Sequence, residues 1–170
     1  MNPIPAGALA GAIATVPMTI AMKAWQALNP RAARYPLPPR EVTIRTARRT
    51  GADRHVKETE PHATYITHFG VGTTAGTVYA ATAYRTPLPP VVSGMGFGLA
   101  VWASSYLGVL PELRIIPEAR RRPLAWHALL ATSHLVWGAA TGVLTSRLTD
   151  ESGNGPARSA HDTRSAFDGD

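Results

Sequence analysis

The distribution of charge predicts an all-α fold: an integral membrane bundle of four transmembrane helices with a basic cytoplasmic loop between helices 1 and 2. Three observations carry this expectation. Residues 1–22, 61–84, 86–111 and 123–146 contain no Asp, Glu, Lys or Arg, and the 17 basic and 11 acidic residues lie between or after them. A helix rises 1.5 Å per residue, so about 20 uncharged, mostly apolar residues cross a hydrocarbon layer of about 30 Å. The basic residues are also unevenly shared: 12 fall in the first and third connections, against four in the second connection and the tail. The mean hydropathy of −0.05 averages apolar spans with a polar loop and tail.

The first span is expected over residues 5–27. Pro3 and Pro5 suit a first helical turn, where a missing N–H costs little. Pro17 interrupts its backbone ladder, and Thr15 or Thr19 can bond the groups it frees. Trp25 belongs at the membrane boundary, with Lys23 reaching toward water. No basic residue precedes this stretch and it exceeds a signal-peptide core, so it is expected to be retained. The second span is expected over 63–84, bracketed by Tyr65 and Tyr84. Its threonines should bond back to the preceding turn. A Pro-rich turn, Thr86-Pro87-Leu88-Pro89-Pro90, leads to the third span over 90–110. The fourth is expected over 124–147.

Between the first two spans, Tyr35-Pro36-Leu37-Pro38-Pro39-Arg40 reads as stiff and extended. Glu41–Thr50 reads as a short helix ended by Gly51, with Arg45, Arg48 and Arg49 on one side. Two readings stay open for it: a segment lying on anionic lipid, or a solvated basic loop. The loop asymmetry places the basic side in the cytoplasm and both termini outside. From residue 149 onward the composition is that of a disordered tail.

Cysteine is absent, which excludes disulfides, thiolate metal sites and thiol nucleophiles. Neither a phosphate loop, a nucleophile elbow, a metalloprotease helix nor a dinucleotide fingerprint is present. The basic balance, with a sequence pI near 10.3, is a membrane-orientation signal, and no nucleic-acid partner is expected. Each span carries two glycines four apart: Gly7 and Gly11, Gly72 and Gly76, Gly94 and Gly98, Gly138 and Gly142. Small residues at that spacing let another backbone approach closely, within a bundle or in a homo-oligomer.

The sharpest chemical candidates are histidines at membrane depth: His68, His127 and His134, with Glu60 and Glu112 at the same end of their helices. Ionisable groups inside otherwise uncharged spans point to function. Such a cluster can sense or relay protons, or hold a divalent metal; a facing pair such as His68 and His134 can ligate haem. The alternative is that each histidine bonds to a neighbouring helix and serves packing alone. No cofactor is required, and no catalytic residue is assigned. A redox or anchor subunit and a small oligomeric channel stand as alternative functions.

Pro36-Leu37-Pro38-Pro39-Arg40 after the first span, the phrase from Tyr106 to Pro117, and His134-Leu135-Val136-Trp137-Gly138 resemble the YagU-like family of small bacterial inner-membrane proteins. The resemblance extends from about Ala6 to Leu148. It implies a four-span protein without established biochemical activity, and a link to acid or envelope stress, since at least one such protein is associated with survival of acid stress. The chain departs from the better-known member in its shorter length, its lack of cysteine and the segment between its first two spans.

Overall fold

The computed structural model describes residues 1–29, 36–116 and 119–153. Arg31, Arg34 and Tyr35 of the first loop lie outside these, as do residues 154–170 of the tail. All regular structure among the described residues is helical: α1 (Pro3–Leu28), α2 (Pro38–Thr50), α3 (Asp53–Thr82), α4 (Pro90–Glu112) and α5 (Leu124–Gly153). Helix α5 continues to Gly153, past residue 149 where the sequence suggests a polar tail.

Three helices, α1, α4 and α5, are long and apolar enough to cross a membrane. The second expected span, 63–84, falls in the latter part of α3, and α3 does not reach that apolarity. The physical reason lies in its composition. Its first third is charged, and the remainder is rich in threonine, glycine and histidine. The threonines hide their polarity locally: Thr73, Thr74, Thr77 and Thr82 donate to the carbonyls of Phe69, Gly70, Thr73 and Val78 at 2.7–3.0 Å. Two segments merge in α3 at Thr59, whose φ of −115° and ψ of 17° are not helical. Pro61, two residues on, has no N–H to give to the turn before it.

The long helices pack antiparallel in the order α3, α1, α5, α4. Glycines set each contact. A Cβ on Gly11 would strike the backbone of Gly72 and lie 2.9 Å from Gly76 Cα, so α1 and α3 meet backbone to backbone. A Cβ on Gly94 would strike the Gly138 carbonyl group and lie 3.2 Å from Gly142 Cα, and Gly98 faces His134 and Gly138 in the same way. Gly7 meets Gly76 and Ala80. All eight paired glycines are therefore spent inside one chain. Helices α1 and α5 are tied by the Trp137 indole N–H, which donates to the Gly11 carbonyl at 3.1 Å.

The distribution of size is inside out relative to a soluble bundle. On α1, Ala6, Gly7, Ala10, Gly11 and Ala14 are buried, while Leu9, Ile13, Val16 and Ile20 are 44–62% exposed. Large apolar side chains over the outer surface and small ones at helix contacts are what a lipid solvent favours.

Helix α2 closes the basic end of the bundle. Pro38 starts it, and Gly51 ends it in the left-handed region at φ 74°, as its position in the sequence suggests. It packs on α3 and is held across the chain to the turn between α4 and α5. Glu41 accepts from Arg45 at 2.7 Å and from Arg122 at 2.9 Å, with the Glu41 and Arg122 side chains only 5% and 9% exposed. Arg49 donates to the Leu113 carbonyl and Arg45 to that of Ile115. Of the three arginines suggested to face lipid, Arg45 and Arg49 thus bond protein carbonyls, while Arg48 is exposed.

Candidate functional site

The four long helices do not close into a complete ring. Helices α3 and α4 meet near one end, where the Tyr79 and Ser93 hydroxyls bond at 2.7 Å. Toward the basic end they separate and leave a cavity of about 240 Å³. Its walls come from Thr15, Met18 and Met22 on α1, Thr67, His68, Val71 and Ala75 on α3, Val101, Ser105 and Tyr106 on α4, and His134 and Trp137 on α5; Pro39 and Val42 of α2 form its floor. Val71 and Val109, 57% and 53% exposed, also line it and mark the gap between α3 and α4.

Helix α4 widens beside the cavity. Ser104–Val109 forms a π-helical turn, and Ser105, Tyr106 and Val109 of this turn line the space. A π turn inserts an extra residue per turn and is frequent where a helix presents functional groups. The turn is supported from below. Pro111 has no N–H for the carbonyl of Leu107, and the Arg120 Nε donates to that carbonyl at 2.7 Å. The same guanidinium pairs with Glu112 at 2.7 Å.

Two of the three candidate histidines share the cavity. His134, 7% exposed, donates from Nδ1 to the Leu130 carbonyl at 2.8 Å. In a neutral ring this leaves Nε2 as an acceptor. The Tyr106 ring stands edge-on to it, with centroids 5.9 Å apart. His68 approaches from α3 and also lines a second, more polar cavity of about 370 Å³ nearer the basic end.

His127 lies elsewhere. It is set edge-on between Trp102 and Trp126, at centroid distances of 6.1 and 5.2 Å. Glu60 pairs with Arg40 at 2.9 Å and accepts from the Thr64 hydroxyl at 3.3 Å. Glu112, 70% exposed, stands outside the bundle with Arg120. The five candidates therefore divide into His68 with His134 at one cavity, Glu60 beside His68 in the adjoining cavity, and two separate positions, His127 and Glu112. Among the described residues, no three of His, Asp and Glu gather as a metal-binding set.

Ser105, Tyr106 and Trp137 were not singled out as site residues by their sequence pattern. Tyr106 and Trp137 fall only within the phrases that carry the family resemblance. Nothing in sequence marks a π turn. Lys23 and Tyr65 read as boundary residues, and the structure joins them: Lys23 Nζ donates to the Tyr65 hydroxyl at 2.7 Å.

A helical bundle with three membrane-length helices, an apolar exterior and a histidine-lined cavity defines the class as a membrane-type α-helical protein. The family described as Protein of unknown function (DUF1440) matches residues 28–143, and the chain belongs to it. No curated protein and no solved structure matches the chain.

Proposed function

We propose that the chain is a four-span protein of the bacterial inner membrane that binds a small molecule within its bundle and responds to protons there, without catalysing a reaction. The observation that carries this reading is the meeting of His68 and His134, from two different helices, at one cavity inside charge-free segments. A role in acid or envelope stress follows from such a response and agrees with the resemblance noted above.

A crossing by the second expected span, the one in α3, is supported by packing. Residues 61–82 of α3 run backbone to backbone along α1. If α1 crosses the bilayer, α3 lies in the same slab. Ile66 and Val78 are 74% and 46% exposed on its outer side, where lipid would cover them. The basic end then faces the cytoplasm by the positive-inside rule.

The chain has no native cysteine, so single-cysteine reporters give a clean test of topology. With a membrane-impermeant maleimide on intact cells stripped of their outer layer, Thr86→Cys is labelled at once. Arg48→Cys and Arg121→Cys are labelled only after permeabilisation. Labelling of Thr86→Cys and Arg48→Cys from the same side would remove the crossing by α3. A full reversal would invert the orientation.

Proton response is tested at the histidine pair. The other ionisable groups around it are Tyr106 from α4 and, at the basic-end mouth, Lys23, Arg40, Glu60 and Tyr65. The thermal midpoint of the wild-type protein in detergent is expected to change across about pH 5–8, where imidazole chemistry operates. That change is lost in the double variant His68→Gln, His134→Gln. Superimposable profiles for the two proteins would end the proton-sensing reading.

A further inference from the structure

The two cavities are one amphipathic site. They meet at Met22, Pro39 and His68, each of which lines both. Above this junction the walls are apolar, with Met18, Val71, Ala75 and Val101 prominent. Below it the walls carry Lys23, Arg40, Glu60, Thr64 and Tyr65. The charges there do not cancel. Arg40 and Glu60 neutralise each other at 2.9 Å. Lys23 is set against the Tyr65 hydroxyl at 2.7 Å and its ring at 5.3 Å, and no carboxylate among the described residues pairs with it. The vestibule is therefore net positive.

Resting on the reading of a membrane-embedded binding cavity, we propose that this site takes an anionic single-chain or acyl-chain amphiphile, its chain in the upper cavity and its acidic head group against Lys23 and Arg40. The geometry explains each part. Lys23 and Trp25 lie at the end of α1 where side chains reach the head-group level. From Lys23 up to Thr15 the path along α1 rises about 12 Å, from the charged vestibule to the apolar upper cavity. The gap between α3 and α4, flanked by Val71 and Val109, gives a chain lateral access from the bilayer without passing through water. The floor is α2, whose Pro39 lies at the junction where chain and head group divide. Pockets of this kind, mostly apolar with a few placed polar groups, are the usual form of small-molecule sites, and the two spaces together are of ligand size. A carboxylate or phosphate gains charge-assisted hydrogen bonds from Lys23 and Arg40 that a neutral head group cannot make in full.

Two sources supply this chemistry, a free fatty acid and an anionic phospholipid of the surrounding leaflet. The test uses the full-length protein in phosphatidylcholine vesicles and three probes with the same mid-chain diazirine: a long-chain fatty acid, the corresponding alcohol, and phosphatidylglycerol. Sites of photolabelling are mapped by peptide mass spectrometry. The fatty acid, the phosphatidylglycerol or both are expected to label the cavity segments around Val71–Ala75 and Val101–Val109. The alcohol is expected to label them about tenfold less, the scale of one lost charge-assisted hydrogen bond. The double variant Lys23→Gln, Arg40→Gln brings the acidic probes down to the level of the alcohol, while labelling of the outward residues Ile13 and Ile20 is unchanged. Ala75→Trp, which fills the upper cavity, removes cavity labelling by every probe. Labelling by the fatty acid alone identifies a free acid as occupant, and labelling by phosphatidylglycerol identifies a bilayer lipid; either sustains the site. Equal cavity labelling by acid and alcohol, or acid labelling that survives Lys23→Gln, Arg40→Gln, overturns it. The cysteine topology above is read independently, so four proven spans with no cavity labelling would refute this ligand assignment and leave the membrane architecture standing.

Discussion

Replacing Gly138 by leucine separates α4 from α5 and abolishes the folded bundle. A Cβ at this position strikes the Gly94 carbonyl group, with Gly94 C at 2.8 Å and Gly98 Cα at 3.1 Å. Every one of these neighbours is backbone, so no side chain can turn aside. Overpacking a core by a methylene or two usually costs about 1–3 kcal/mol. Here two helix axes must move apart, which removes the packing that holds helices together in lipid, and the loss should exceed about 4 kcal/mol. Gly96 provides the control. It lies in the same glycine-rich run of α4, but a Cβ there meets nothing within 4 Å. Gly96→Leu should purify as a monodisperse species with a near-native thermal midpoint, and Gly138→Leu should aggregate or unfold during detergent extraction. Equal behaviour of the two variants would mean that the glycines do not set the contact between α4 and α5.

Substituting Glu41 by leucine frees α2 from the end of the bundle. The Glu41 carboxylate is buried and bonded to both Arg45 and Arg122, and the Arg122 guanidinium also lies 5.7 Å over the Trp126 ring. Removing one member of a buried ion pair usually costs about 3–5 kcal/mol, because the remaining charge loses its neutralising partner. Replacing both members by apolar groups of similar size is often near neutral. Glu41→Leu should therefore lower the thermal midpoint and open the segment from Pro38 to Thr50 to protease. Adding Arg122→Met should recover most of the loss. A double variant no more stable than Glu41→Leu alone would show that the pair does not hold α2 in place. Because Pro39 and Val42 floor the cavity, the same single variant should also loosen the site.

Much of the helix plan was legible in the sequence. Pro90 opens α4 where the Pro-rich turn suggests, and Gly51 closes α2 where a left-handed residue is needed. Thr73, Thr74, Thr77 and Thr82 of α3 bond back to their own helix as their position in a charge-free stretch suggests, while Thr64 bonds the Glu60 carboxylate. The four-residue glycine spacing marked contact faces, but it did not say which face meets which. The histidines show the limit most clearly. His127 and His134 are seven residues apart and so point in nearly the same direction from α5. They nevertheless have different surroundings, because the face of α5 meets Trp102 near its start and opens onto the cavity two turns on. His68 and His134 reach one cavity from α3 and α5, two helices whose adjacency no local spacing indicated. Glu60 and Glu112 stand near the same end, yet each is held by an arginine that no local spacing indicated.

Taken alone, the order of residues determined where helices run and which segments suit an oil-like solvent. Both follow from local rules: a backbone without water must satisfy itself within one helix, and a charge in hydrocarbon is costly. Only the tertiary structure decided that α3 and α4 part to leave a cavity, that α4 widens by a π turn beside it, and that Glu41 and Arg122 lock α2 beneath it. Those features depend on which helices become neighbours and at what depth their side chains meet, and helical periodicity records the face of a residue without recording its partner.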